Sequence, residues 1–116
     1  MSEAAIHRSI LAYLRAVLPS GWLTIHVPNG GSRHRIEAAN LKRLGVVAGW
    51  PDLSIYGPTG CYFMEVKTPT GRLSNNQRQI IDQLKDMGHP VAVVTSIDDA
   101  REAVEEWKLP SNYFRA

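Results

Sequence analysis

Between Trp50 and Lys67 the chain reads WPDLSIYGPTGCYFMEVK, and this stretch narrows what the rest can be. Two runs, 52–56 and 61–67, flank Gly57-Pro58-Thr59-Gly60. Leu, Ile, Tyr, Phe, Met and Val favour strands, while Gly and Pro break them, so the pattern predicts a β-hairpin. A loop of two residues or of four gives the same register, with Asp52 directly opposite Glu65. Directly opposed side chains share a face, with Cβ atoms about 4.5–5.5 Å apart. Strand alternation returns Lys67 to that face. Two acids and an amine therefore collect at one end of a largely apolar hairpin.

Two carboxylates so close repel each other unless one is protonated or a cation lies between them. Hard divalent cations take oxygen ligands, and Mg²⁺ is usually held by one or two carboxylates plus water and substrate phosphate. A lysine beside such an ion can orient or help deprotonate water, or neutralise charge on a phosphate. The bland alternative makes Glu65 and Lys67 polar residues of a solvated strand face, with Asp52 starting the turn into the hairpin. The hairpin alone leaves both readings open.

At 116 residues the chain is expected to form one domain over 1–109, with 110–116 as a C-terminal tail that docks or frays. Its 44% apolar and 21% charged residues are those of an ordinary soluble globular protein. The apolar runs are too short to span a membrane. An N-terminus carrying Glu3, Arg8 and Arg15 in a helical pattern is no signal peptide. One cysteine, Cys61, excludes a disulfide framework and indicates a reducing compartment. It falls in a strand expected to be buried, where nothing would lower its pKa for nucleophilic work. A net charge of +2 permits a nucleic-acid partner without arguing for one.

Residues 2–18 predict a first helix. Ile6, Ile10, Leu14 and Val17 repeat at helical spacing, Ser2 caps the start, and Pro19-Ser20-Gly21 stops it. Glu3 and His7 share the core-facing side, and the pattern alone favours reading Glu3 as an acid placed by the helix dipole over a functional one. Residues 22–27 predict a strand ending at Pro28, followed by the turn Asn29-Gly30-Gly31-Ser32. His26 in that strand is a possible ligand, although a lone histidine on a strand is more often packed. Arg33, His34 and Arg35 open a short helix to about Leu44 with Lys42 and Arg43 near its end, and Gly45 stops it. A glycine-rich turn beside these cations suits an anion such as phosphate, and a solvated basic helix explains them as well. After Lys67, Ser74 and Gln77 form a capping-box pattern before a helix whose buried stripe reads Ile80, Ile81, Leu84 and Met87. Gln77 has two readings, cap and site contact. The apolar run 90–94 predicts a strand in the middle of a sheet covered on both faces. Ser96 caps a last helix to about Trp107, with a core face of Ala100, Ala103, Val104 and Trp107. The order implies a small mixed β-sheet flanked by helices, an α/β fold of αβ(α)ββαβα order.

A Pro-Asp followed by Glu-x-Lys on the next strand, within that order, resembles the restriction-endonuclease-like PD-(D/E)XK core. HVPNGG (26–31), LKRLGV (41–46), AGWPDL (48–53) and FMEVKTPTGRLSNNQ (63–77) are, in that sequence, similar to the VRR-NUC family, over about 3–107. The resemblance implies that Asp52 and Glu65 are the principal metal ligands, joined by the backbone carbonyl of Val66. Glu3 becomes a helix-borne acid that holds a metal or its water shell, Lys67 the residue that orients or activates the attacking water, and Gln77 a polar contact to the site. It implies a Mg²⁺- or Mn²⁺-dependent endonuclease with DNA as partner and no organic cofactor. Asn29, Arg33, His34, Arg35, Lys42, Arg43 and Arg72 become candidates for gripping the DNA backbone. Such contacts fix position without reading sequence, which favours branched or junction DNA over a defined recognition sequence. The family's small standalone members, found in phages and bacteria, imply a cytoplasmic and phage- or prophage-encoded protein. They also imply a homodimer that supplies one site per strand, with Trp107, Tyr113 and Phe114 either anchoring the interface or buried in their own subunit. The alternatives are a nicking or flap nuclease that acts only beside a replication or recombination partner, and a DNA-binding module that does not cut.

Overall fold

The structure is a computed structural model that describes residues 1–28 and 35–112, except the side chains of residues 35 and 36. Its elements run α1 (Glu3–Val17), β1 (Leu23–His26), α2 (Arg35–Arg43), β2 (Leu53–Gly57), β3 (Gly60–Val66), α3 (Asn75–Asp86), β4 (Val91–Val94) and α4 (Ile97–Glu106). Among the described residues the strands form one four-stranded sheet in the order β1-β2-β3-β4. The first two pairings are antiparallel and β3 to β4 is parallel. This is the expected mixed sheet. None of the described helices is long and apolar enough to cross a membrane.

The hairpin closes through Gly57 opposite Gly60, and Leu53 pairs with Met64. The next step of that register brings Asp52 alongside Glu65, as the alternation predicts. On one face Leu53, Ile55, Tyr62, Met64 and Val66 pack under Ile6, Ile10, Leu14 and Val17 of α1 and Ala100, Ala103 and Val104 of α4. Removing a side chain such as Leu14 from this layer would cost about 2–5 kcal/mol. On the other face Phe63 and Val91 meet Ile81 and Leu84 of α3, with Trp50 edge-on to Phe63 at 5.6 Å. The hairpin thus has a helix over each face, and the polar end of β3 emerges between them.

Ser2 caps α1 by accepting from the Ala5 amide, and Ser96 caps α4 by accepting from the Asp99 amide. Gly45 ends α2 at φ +97°, where its amide bonds Lys42 and the Val46 amide bonds Leu41, the paired bonds of a Schellman stop. Every described side chain of α2 is exposed except half-buried Leu41.

Three expectations are corrected. The apolar strand 90–94 is not central: among the described residues β4 is an edge bonded to β3, and Val93 is 45% exposed. Its apolar run serves the two helices beside it rather than a strand on each side. Met87 does not join the buried stripe of α3. It is the C-cap residue and 60% exposed, because the helix has run past the sheet by then. Cys61 is half-buried rather than buried, near the open turn of the hairpin. Trp107 stacks on Tyr62 at 5.3 Å within its own chain, while Tyr113 and Phe114 lie outside the described residues.

Candidate active site at an acidic corner

Glu65 lies next to the end of β3, and its side chain is 2% exposed. A carboxylate placed there must find partners or keep its proton. Lys67, two residues on, brings its Nζ to 3.6 Å from Glu65 Oε2. Gln77 donates from Nε2 to the same oxygen at 3.2 Å. Asp52 turns its Oδ2 back to accept the Val66 amide at 2.8 Å, which ties the start of β2 to the end of β3. Burial raises the Glu65 pKa first, and the neighbouring Asp52 adds both its charge and a hydrogen bond. Lys67 offsets part of this and Glu3 adds to it, leaving Glu65 pushed up from 4.5 to about 8. The solvated-face alternative for Glu65 is therefore excluded by its burial. Glu65 thus keeps its proton far above the usual carboxyl range, with half-buried Asp52 beside it.

Gln77 caps α3 and contacts Glu65 through opposite ends of one amide. Oε1 accepts the Ser74 amide at 2.8 Å, completing the capping box, while Nε2 reaches Glu65. Gly49 makes this approach possible. It sits at φ +85°, and a Cβ there would lie 2.5 Å from the backbone carbon of Asn76 and 2.7 Å from the Gln77 nitrogen. The glycine in AGWPDL is thus what lets the loop before β2 press against the start of α3.

Glu3 is exposed at the N-terminus of α1, and its charge is felt at both Glu65 and His7. His7 and His26 were not singled out as a pair in the sequence, yet their rings meet edge-on at 4.6 Å. His26 is exposed rather than packed, and its Nδ1 lies 2.8 Å from the Asp52 carbonyl oxygen. The His7 pKa is lowered, by burial first and by His26 next, with Arg8 adding to it, while Asp52 and Glu3 pull the other way. Nineteen positions separate the two histidines, and only the α1-to-β1 return brings them together. Of the expected backbone-gripping residues, Lys42 and Arg72 are exposed, and Arg43 is exposed with a bond to Asn40 Oδ1 at 2.7 Å. Asn29, Arg33 and His34 lie outside the described residues, as does the side chain of Arg35. A hollow of about 520 Å³ lies beside α2 against Ala38, Leu41, Val46 and Val47, away from the acidic corner.

A helix-flanked mixed sheet with an Asp on one hairpin strand and Glu-x-Lys on the next defines a restriction-endonuclease-like, nuclease-type domain. Residues 4–98 match the VRR-NUC domain, and the chain belongs to that family. A solved structure described as a VRR_NUC domain protein aligns with a TM-score of 0.72 at 22% identity, covering 92% of this chain and 88% of that one. At that identity the likeness speaks for the fold. No match was found among curated proteins.

Proposed function

We propose that this chain is a Mg²⁺-dependent endodeoxyribonuclease, with Mn²⁺ able to substitute, that hydrolyses phosphodiesters in branched DNA such as four-way junctions. The observation that carries the reading is buried Glu65 beside half-buried Asp52, with Lys67 at 3.6 Å from Glu65. A fold gains nothing from crowding two carboxyls until one must hold its proton, whereas a hard cation would relieve that crowding. The donor set fits such an ion: Asp52, Glu65 and the Val66 carbonyl would hold it, with Glu3 directly or through water.

A bound divalent cation supplies Lewis acidity, neutralising phosphate charge and lowering the pKa of water. The chain's own groups do the rest. Glu65 is aimed by Gln77 and Lys67, so its Oε2 is held on two sides. Lys67 orients the attacking water and offers a positive charge to the phosphoryl oxygens as charge develops on them. Asn29, Arg33, His34, Arg35, Lys42, Arg43 and Arg72 grip the backbone, which supports selection by DNA shape rather than sequence. One site cuts one strand, so a homodimer would supply the second cut at a junction.

The test incubates purified protein with labelled duplex, flap and four-way-junction DNA in Mg²⁺, Mn²⁺ or EDTA. We expect metal-dependent cutting that favours the junction and falls by about 10²-fold or more in Glu65→Gln and in Lys67→Met. Junction binding without cutting in either metal would overturn the enzyme reading of the lone chain. That outcome would leave a binding module or a partner-dependent subunit.

A further inference from the structure

Asp52 has a second set of neighbours that the carboxylate reading does not use. Glu65 is gripped from the α3 side of the sheet. His7 on α1 and His26 on β1 stand on the other side. One ligand atom from each of His7, His26 and Asp52 lies within 4.8 Å of the other two. The two rings are nearly perpendicular, at 88°, so they are not simply stacked.

The hydrogen bond of His26 decides which nitrogen is free. A carbonyl oxygen can only accept, so Nδ1 carries the proton towards Asp52 and Nε2 keeps its lone pair. An imidazole whose one N–H is held by a backbone carbonyl while its other nitrogen keeps a lone pair is the arrangement found around bound metals. The bond to the carbonyl would account for His26 alone, but not for His7 and the Asp52 carboxylate gathering beside it.

We propose that His7, His26 and Asp52 hold a borderline divalent cation of the Zn²⁺ or Co²⁺ kind, beside the carboxylate corner and sharing Asp52 with it. Imidazole suits such ions, whereas Mg²⁺ prefers a shell of oxygen ligands. Tetrahedral ligands about 2.0–2.1 Å from zinc stand roughly 3.3 Å apart, so the 4.8 Å span must close by about 1.5 Å. His26 is exposed and the other two are half-buried, which leaves their side chains room to rotate inward. The proposal needs Asp52 but neither Glu65 nor Lys67, so it stands apart from the hydrolytic reading. Because one carboxylate serves both positions, filling one changes affinity at the other, and by the same factor in each direction.

The experiment titrates metal-free full-length protein with Zn²⁺ by calorimetry and follows the histidine ring nitrogens by NMR. Wild type, His7→Gln, His26→Gln and Glu65→Gln are compared, each with its fold checked by circular dichroism. The expected result is one Zn²⁺ per chain in wild type and Glu65→Gln, with the His7 and His26 ring signals shifted and His89 unmoved. Each histidine substitution should weaken binding by at least about tenfold, and excess Mg²⁺ should not displace the ion. Zn²⁺ affinity indifferent to both histidines, or lost in Glu65→Gln with unshifted rings, would overturn the proposal. Either result would leave the cutting assay to be judged on its own.

Discussion

Raising the pH from 5 to 9 in EDTA should weaken the metal-free protein, and Glu65→Gln should remove that weakening. The native Glu65 carboxyl keeps its proton up to about pH 8, whereas the unfolded chain releases it near 4.5. Between those values the folded state holds more protons than the unfolded one, so stability falls as pH rises. The contribution is fully present below 4.5 and gone above about 8. At 1.36 kcal/mol per pH unit the ceiling is about 5 kcal/mol. Coupling of Glu65 to its charged neighbours reduces the observable difference to about 1–3 kcal/mol. His7 works the other way, its lowered pKa giving stability above 6.5 that fades as the pH falls. Because both proteins carry His7, their difference removes it. Urea unfolding at pH 5, 7 and 9 is the assay. With an m value near ~1.5 kcal/mol/M, the variant should exceed wild type by about 0.7–2 M in midpoint at pH 9 and match it at pH 5. Added Mg²⁺ should raise the wild-type midpoint at pH 9 and leave the variant nearly unchanged. Parallel pH profiles for the two proteins would refute the account of the corner.

Gln77→Ala removes both the acceptor for Ser74 and the donor to Glu65, and should cost about 1–2 kcal/mol in thermal unfolding along with junction cutting. Gln77→Glu keeps the cap acceptor and loses the donor, so cutting should suffer more than stability does. Gly49→Ala places a Cβ 2.5 Å from Asn76 at φ +85°, and a loss of about 2–3 kcal/mol or more is expected in urea unfolding. The Ser54 hydroxyl is buried without a hydrogen-bond partner among the described residues, so Ser54→Ala should leave the melting temperature unchanged or raise it, by up to about 1 kcal/mol of stability.

The hairpin and its register were legible because alternation is local: once Gly57 and Gly60 close the turn, the partner of each strand residue is determined by counting. Capping of α1, α3 and α4 was legible for the same reason, since Ser2, Ser74 and Ser96 act within one turn of themselves. Strand order is not local. An apolar run such as 90–94 looks alike whether strands or helices cover it, and only the assembled sheet shows β4 as an edge. The His7–His26 contact depends on how α1 returns to β1, which no spacing encodes. For Gln77, each of its two bonds has its own sequence signal, but their coexistence does not. It requires the α3 start to stand one amide's width from Glu65, and that distance is set by Gly49.

That shared amide also makes the start of α3 a gauge of the corner. Turning the Gln77 side chain over would break its bonds to Ser74 and to Glu65 together, so neither end can be lost quietly. The exchange of the exposed Ser74 amide proton with solvent therefore registers how Glu65 is held, although Ser74 touches no reacting group. An ion or a DNA phosphate that draws Glu65 away would loosen that proton, and one that leaves Glu65 in place would keep it protected. A single backbone resonance thus reports on the corner from outside it.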